Sequence, residues 1–329
     1  MKYRALLHCS LCSFVPLLFG CDQKVGIEET TSDPPEASLS GSPEVAIQSI
    51  LYAMGNQQGS MLWAAMPKSY QNDVNEMVHL AGNQVDAEIY DKTFSTIRRL
   101  VTIADQQKAF ILNTAVMGEP MPADEKVKIE AAWPSLVSLI STITKSPISS
   151  AQGLQSFDGQ TFFSETVSTL LGDIEAIAAL NPEELEISLR DLTETKVALV
   201  EKTDSTARLQ INFPGGESEE ESFAKVDNRW VPQQLSLDWA DSVARSRAQL
   251  EAIDRDAMAE QKPQLMNIFV MIDAVLSQLE AAETQAQFDQ AVKGAMMPLM
   301  GIMMMGQSGS AAPEIPAEAA MPAAPVSEE

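Results

Sequence analysis

The chain of 329 residues carries 46 Asp and Glu against 22 Lys and Arg, which gives a formal net charge of −24 at pH 7. An acidic excess of this size repels nucleic-acid phosphates and anionic lipid surfaces, so we expect no nucleic-acid partner. The length is sufficient for one large hydrophobic core or for two smaller ones.

The first segment of the chain has the pattern of an export signal. Lys2 and Arg4 precede a mostly apolar run that ends at Phe19, and Gly20 and Cys21 follow directly. A basic start, a short apolar stretch and a small residue before the cut are the parts of a secretory signal peptide. The apolar run has about 15 residues, fewer than the roughly 20 that a membrane-spanning helix needs. We therefore predict a signal peptide at residues 1–20.

The end of this segment, Leu18-Phe19-Gly20-Cys21, resembles the lipobox of bacterial lipoproteins. In that family the signal peptidase cuts directly before the Cys, and this Cys carries the palmitate-type acyl chains that hold the protein on a membrane. The resemblance implies cleavage between Gly20 and Cys21, lipidation of Cys21, and a location in the cell envelope facing the periplasm or the exterior. Phe19 departs from the smaller residue that the family usually has there. The alternative is an ordinary secreted protein, cut near Gly20, with Cys21 a free thiol.

Removal of the signal peptide would leave few residues for metal or thiol chemistry. His8, Cys9 and Cys12 would be lost, so that Cys21 and His79 would be the remaining Cys and His. A lipidated Cys21 offers no thiolate, and a single His cannot form a multi-His metal site. His79 lies in an amphipathic helical pattern, and the chain contains no Gly-x-Ser-x-Gly nucleophile motif. We predict no catalytic residue, no metal site and no cofactor, and we interpret His79 as an ordinary helix residue.

The remainder divides into three regions. Residues 21–42 contain the lipidated Cys and a polar, Pro-containing tether, residues 43–306 form a helical body, and residues 307–329 form a disordered acidic tail rich in Ala and Pro. Before residue 196, apolar periodicity predicts helices at 43–54, 60–66, 68–80, 85–113, 124–145 and 162–180, a loop at 146–157, and a short helix starting at 181–184.

The apolar period then changes to two, which predicts a small antiparallel β-meander at about 196–237. Strands are expected at 196–200, 207–213, 222–226 and 230–237, with the acidic run Glu217–Glu221 in a solvated hairpin loop. The absence of crossover helices excludes a doubly wound nucleotide-binding fold. Helices are expected again at 238–262, 265–282 and 288–297, with a break at Pro263. The predicted fold class is α+β and helix-dominated, with helices flanking the meander.

Two segments resemble parts of lipoproteins with an NTF2-like, cone-shaped α+β domain. Residues 42–54 are similar to the first helix of such domains, and residues 224–232 look like their final hairpin. The resemblance implies a curved sheet that wraps a helix and can leave a pocket. The chain departs from the family in the long helical stretch between the two segments.

A methionine-rich segment near the end is the sharpest candidate for metal chemistry. It contains Met296, Met297, Met300, Met303, Met304 and Met305. Thioethers are soft ligands that suit Cu(I), and several would share one helix face. However, no His, Asp or Glu occurs between the first and the last of these residues, as it usually does in copper-binding motifs. Unbranched Met also fills irregular core gaps and forms adaptable contact surfaces, and we favour that interpretation over copper.

Candidate acids for catalysis lie on a charged helix near the end of the body. Asp254, Asp256 and Glu260 could form an acid–base pair if burial separated their pKa values, although surface pairing with nearby Arg and Lys is the simpler interpretation. The sequence therefore favours a non-enzymatic envelope lipoprotein that acts as a structural module or binds an envelope protein or a ligand. The alternatives are a hydrolase that uses carboxylates in a pocket and a periplasmic Cu(I) binder.

Overall fold

The computed structural model of the protein describes residues 38–116, 121–180 and 188–295. Within these ranges the chain is mostly helical with one small sheet, so the predicted α+β, helix-dominated class is confirmed. The predicted signal peptide, Cys21, most of the tether, the helix at 181–184, the methionine-rich segment and the acidic tail lie outside the described residues.

A 3₁₀ turn (Pro147–Ser149), a π-helical segment (Phe163–Val167) and ten α-helices are described before the sheet. The α-helices are α1 (Pro43–Gly55), α2 (Gly59–Ala65), α3 (Lys68–Gln84), α4 (Ala87–Gln106), α5 (Lys108–Asn113), α6 (Ala123–Ile143), α7 (Ala151–Gln155), α8 (Gly159–Phe162), α9 (Ser168–Leu180) and α10 (Asp191–Glu194). The sheet consists of β1 (Lys196–Lys202), β2 (Thr206–Asn212), β3 (Ser218–Val226) and β4 (Arg229–Pro232). Helices α11 (Gln233–Glu251) and α12 (Arg255–Glu280) follow, and a last helix, α13, begins at 285 and is described to 295.

The four strands pair antiparallel in the order β1-β2-β3-β4, and α1 covers one face of the sheet. Strict alternation in β2 turns Ala207, Leu209 and Ile211 towards α1, where Leu209 and Ile211 are completely buried. Burial of each of these side chains stabilises the fold by roughly 1.5–3 kcal/mol. Buried side chains of α1, α10 and β2–β4 form the hydrophobic core on this side of the sheet.

Strand β1 is one edge of the sheet, and a side chain of α1 covers the start of that edge. The Gln48 Nε2 donates to the carbonyl of Thr195 at 2.7 Å, and its Oε1 accepts from the Val197 N–H at 3.1 Å. An unpaired strand edge is a template for association with other chains, and charged residues, bulges and side-chain caps blunt it. All three occur here, because β1 begins at Lys196, ends at Lys202 and carries an irregularity between Leu199 and Glu201, while Gln48 covers its start.

A second core lies on the opposite face, where α11 packs against α3 and the end of the sheet. The rings of Tyr70 and Trp239 stack with their centroids 4.0 Å apart, and the Trp239 Nε1–H donates to Asp73 at 2.7 Å. Helix α8 closes the same core through Gly159, where a Cβ atom would lie 2.1 Å from the ring of Trp63. Any larger residue at this position would displace the indole.

The turn between β3 and β4 connects the sheet to α3. Asp227 and Asn228 both have positive φ, as the tight turns of two-residue hairpins require. The Asp227 carboxylate accepts from the N–H of Ser69, in the first turn of α3, at 2.8 Å. This hydrogen bond satisfies an N–H that the helix itself cannot, and it lowers the pKa of Asp227.

Helices α4 and α12 run side by side and are joined mainly by polar contacts. Asp273 contacts Lys92 at 2.5 Å and Arg99 at 3.4 Å. Arg99 also binds Glu280, and this pairing lowers the pKa of the Glu280 carboxyl. A third core, at the far end of the pair, contains Ile103, Leu276, Leu279, Ala282, Phe288 and Ala291.

The structure corrects several predicted boundaries. The predicted fourth strand is wrong beyond Pro232, because α11 starts at Gln233 and buries Leu235 and Trp239 on one helical face. The predicted break at Pro263 is also wrong, since α12 continues through it. Pro263 and Ala259 are both exposed, so water can reach the carbonyl that the proline leaves without a donor.

Three further predictions differ from the structure. The acidic run does not form a loop, because Glu219–Glu221 belong to β3 and pair with β2. The predicted helix 85–113 is divided at Gln107, whose side chain donates to carbonyls at the end of α12. The predicted loop 146–157 contains a 3₁₀ turn and α7, which Ser150 caps by accepting from the Gly153 N–H.

Candidate functional site

A polar hollow of about 280 Å³ lies on the face of the sheet that α1 does not cover. The hollow is lined by Glu201, Lys202, Thr203, Thr206, Ala207, Arg208, Ser222 and Gln233. These residues come from the β1–β2 hairpin, the middle of β3 and the first turn of α11. The hollow is therefore a product of the sheet and of the helix that follows it directly.

The register of the strands positions the side chains of the hollow. Arg208 pairs directly with Ser222 on β3 and with Glu201 on β1, so all three share one face. The irregularity between Leu199 and Glu201 is needed for this arrangement, because without an extra residue Val200 would lie opposite Arg208.

The hairpin end of the hollow is fixed by hydroxyl groups. The Thr203 Oγ1 accepts from the backbone N–H of Thr206 at 2.9 Å, and the hydroxyls of Thr203 and Thr206 are 2.7 Å apart. The backbone N–H of Thr203 donates to the Thr206 carbonyl at 2.8 Å. A threonine-bound turn of this kind holds the two hydroxyl groups at the rim of the hollow.

The charge of Arg208 in the hollow is paired with carboxylates and remains largely exposed to water. The Arg208 guanidinium lies 3.1 Å from a carboxylate oxygen of Glu201 and 3.8 Å from one of Glu220. The side chains of Arg208 and Glu201 are 48% and 68% exposed, so each pair contributes about 1 kcal/mol or less. The hollow offers guanidinium, ammonium, amide and hydroxyl donors beside carboxylate acceptors, a set that suits reversible contact with a polar group.

The acids that the sequence offered for catalysis lie elsewhere, on the surface. Asp254 is the N-cap of α12, and its carboxylate accepts from the N–H groups of Asp256 and Ala257, both at 3.0 Å. Asp256 and Glu260 are exposed on the same helix. Acidic residues at the start of a helix satisfy its free N–H groups and interact favourably with the positive end of its dipole.

His79 has a structural partner. His79 lies on α3 and is half-buried, and its Nε2 is 2.8 Å from the carbonyl of Phe157, which follows α7. The carbonyl can only accept, so the Nε2 is the donor and carries the proton. The contact ties two elements together and agrees with the interpretation of His79 as an ordinary helix residue.

Two carboxyl groups that the sequence did not single out are partly buried. Burial raises the pKa of Asp173 on α9, and a hydrogen bond from Ser138 on α6 opposes the shift. Burial also raises the pKa of Asp191 at the start of α10, helped by the nearby charges of Glu175 and Glu194. Both environments depend on contacts between separate helices, so no local sequence pattern could have identified them.

The described residues contain neither a cluster of metal-ligating side chains nor a helix that could span a membrane. Among residues 38–116, 121–180 and 188–295, no group of three or more His, Cys, Asp or Glu residues could hold a metal ion. None of the helices in the described part of the chain combines the length and the apolar character that a membrane span requires. The methionine-rich segment lies outside these ranges.

Comparison with known proteins adds no relative. No protein-family model, no curated protein and no solved structure matches this chain.

Proposed function

We propose that the protein is a lipoprotein of the bacterial cell envelope, held on a membrane by acyl chains on Cys21, and that its body is a non-enzymatic module that binds a partner. The observation that carries the proposal is Cys21 directly after a basic, short, apolar segment that ends in Gly20. An acyl anchor places an acidic body beside a membrane without requiring its surface to bind anionic lipid.

The described body supports a binding role over a catalytic one. The sheet packs on α1 through a hydrophobic core. Of the acids that the sequence suggested for catalysis, Asp254 caps α12, and Asp256 and Glu260 lie exposed on the same helix. The hollow beside Arg208 and Ser222 is polar, open and built on a rigid sheet, which are the properties of a surface that makes reversible polar contacts.

Acylation in cells tests the anchor. The full chain is expressed in a Gram-negative host with alkyne-labelled palmitate, beside the variants Cys21→Ser and Cys12→Ser. We expect label in the wild type and in Cys12→Ser, because Cys12 lies inside the predicted signal peptide, and no label in Cys21→Ser. Equal label in Cys21→Ser and in the wild type would contradict the proposal.

Site-specific cross-linking tests the binding role. A photoreactive amino acid replaces Ser222 in the hollow, and a matched variant carries it at Asp241, an exposed position on α11. We expect a discrete cross-linked product in envelope preparations from the Ser222 variant and none from the Asp241 variant. If neither variant gives a product, or both give the same set, the hollow is not the contact surface.

The alternative of a hydrolase that uses carboxylates has one candidate site among the described residues, at the partly buried carboxyl groups near the start of α10. Asp191 has a raised pKa and lies near the carboxylate of Glu175, which accepts from the Leu189 N–H at 2.7 Å and from the Ser188 hydroxyl at 3.1 Å. Two neighbouring carboxyl groups in different environments can serve as the acid and the base of general acid–base catalysis. An ester- or glycoside-cleaving activity that Asp191→Asn abolishes and Asp241→Asn retains would favour this alternative.

A further inference from the structure

Strand β1 carries exposed apolar residues at an edge of the sheet. The strand order β1-β2-β3-β4 leaves its outer side without a neighbouring strand among the described residues. Leu199 is 44% exposed and Val200 is 43% exposed, and every residue from Ala198 to Lys202 is exposed. An open edge of this kind pairs with a strand of another chain unless the fold prevents it.

Gln48 on α1 occupies the backbone groups with which such pairing would begin. It donates to the Thr195 carbonyl at 2.7 Å and accepts from the Val197 N–H at 3.1 Å. Backbone groups alternate in direction along a strand, so the next residue that faces the outer side is Leu199. The irregularity between Leu199 and Glu201 then interrupts the alternation. Between Gln48 and this irregularity, only Leu199 offers both an N–H and a carbonyl to a partner strand.

The sequence of β1 is complementary to itself in one antiparallel register. With Ala198 on a two-fold axis, Val197 of each copy lies opposite Leu199 of the other, and Lys196 lies opposite Val200. This register forms two apolar cross-strand pairs and brings no like charges together. It requires the Val197 N–H of both copies, which is the group that Gln48 binds.

We propose that Gln48 is a latch that keeps β1 from pairing with β1 of a second copy, and that its withdrawal allows a symmetric dimer through this edge. In the dimer, Leu199 exchanges contact with water for contact with Val197 of the second copy. The latch lies wholly within the body and does not depend on the anchor at Cys21.

Disulfide trapping tests the pairing. Serine replaces every native cysteine of the full chain, Gln48→Met removes the latch, and Ala198→Cys reports on the axis. Methionine keeps an unbranched side chain of similar length but cannot form the two hydrogen bonds of the amide. Directly opposite residues of an antiparallel pair have Cα atoms about 4.5–5.5 Å apart, a distance that a disulfide can bridge. We expect linked dimers to form at least tenfold faster with Gln48→Met than with Gln48 intact.

A cysteine elsewhere on the same strand is the control. Lys202→Cys, combined with Gln48→Met, places the thiol at an exposed position that the proposed register separates from its counterpart by about 25 Å. We expect this variant to form linked dimers at the slow rate of the latched protein. Equal rates with and without Gln48, or equal rates for Ala198→Cys and Lys202→Cys, would overturn the proposal.

Amide exchange in the wild-type chain tests the latch without any substitution. The N–H groups of Val197 and Leu199 face the same edge, but only that of Val197 donates to Gln48. After correction for intrinsic rates, we expect the Val197 amide to exchange at least tenfold more slowly than the Leu199 amide, as measured by NMR. Equal exchange of the two amides would also overturn the proposal.

Discussion

Two leucines that are directly paired on adjacent strands of the sheet allow a quantitative test of the fold. Leu209 on β2 pairs directly with Leu199 on β1, and both point to the face of the sheet that α1 covers. Leu209 is completely buried and Leu199 is 44% exposed, because β1 is the edge strand. The same substitution, Leu→Ala, therefore compares a buried and a partly exposed position on the same face of the sheet.

The structure determines the expected cost of each change. Leu209→Ala removes three buried carbons and leaves a cavity in a filled core, so it should cost about 3–4 kcal/mol of unfolding free energy. Leu199→Ala loses about half of that transfer energy and leaves no closed cavity, so it should cost about 1 kcal/mol. With a urea m-value of about 3 kcal/mol per M for a body of this size, the unfolding midpoint should fall by about 1 M and 0.3 M respectively.

Urea titrations followed by tryptophan fluorescence measure the two midpoints, and Trp230 in the same core reports on the sheet. If Leu209→Ala does not fold, the milder change Ile211→Val should still lower the free energy by about 1 kcal/mol. Equal midpoint shifts for Leu209→Ala and Leu199→Ala would refute the assigned register and the position of β1 at the edge.

Three further substitutions test individual contacts. Asp273→Ala removes two partly exposed ion pairs between α12 and α4 and should cost about 1 kcal/mol, a cost that 1 M NaCl reduces. Hydrogen bonds from Thr161 lower the pKa of Asp158 in the folded protein. Asp158→Asn should therefore show its full stability cost only above the ordinary pKa of a carboxyl group, where the wild-type carboxylate stabilises the fold. As the pH falls through the lowered pKa of the folded state, the difference in unfolding free energy between variant and wild type should disappear. Gln48→Glu can still accept from the Val197 N–H but cannot donate to the Thr195 carbonyl when ionised. It should therefore cost about 1–3 kcal/mol at neutral pH and less in acid, where the carboxyl regains its proton.

Chemical denaturation across pH and salt measures these effects, with Asp241→Asn as the control for an exposed carboxylate. A cost of Asp273→Ala that salt leaves unchanged would contradict the ion-pair account. A pH-independent cost of Asp158→Asn would show that its hydrogen bonds do not depend on its charge. A Gln48→Glu variant as stable as the wild type would show that the glutamine does not cover the edge of β1.

The sequence predicted the fold class because each element carries a strong local pattern. Alternation in β2 and the i, i+3, i+4 stripe of α1 remain visible without tertiary contacts. The start of α11 was misassigned because Leu235 and Leu237 alternate as in a strand. The helical spacing of Leu235, Trp239 and Val243, all packed in the second core, was the signal that could have corrected it.

Other features depend on contacts between distant residues, which no local pattern carries. Helix α12 continues through Pro263 while Lys262 binds Asp86 and Glu88 near the start of α4. The hollow requires a particular strand register, an extra residue beside Leu199 and a helix that starts at Gln233. None of these conditions can be read from the residues that line it.

The proposal that the mature protein begins at an acylated Cys21 can be tested by the intact mass of the protein extracted from membranes. We expect a mass equal to residues 21–329 plus two or three acyl chains, and no such species in Cys21→Ser. An unmodified protein recovered in the soluble fraction would refute acylation at Cys21.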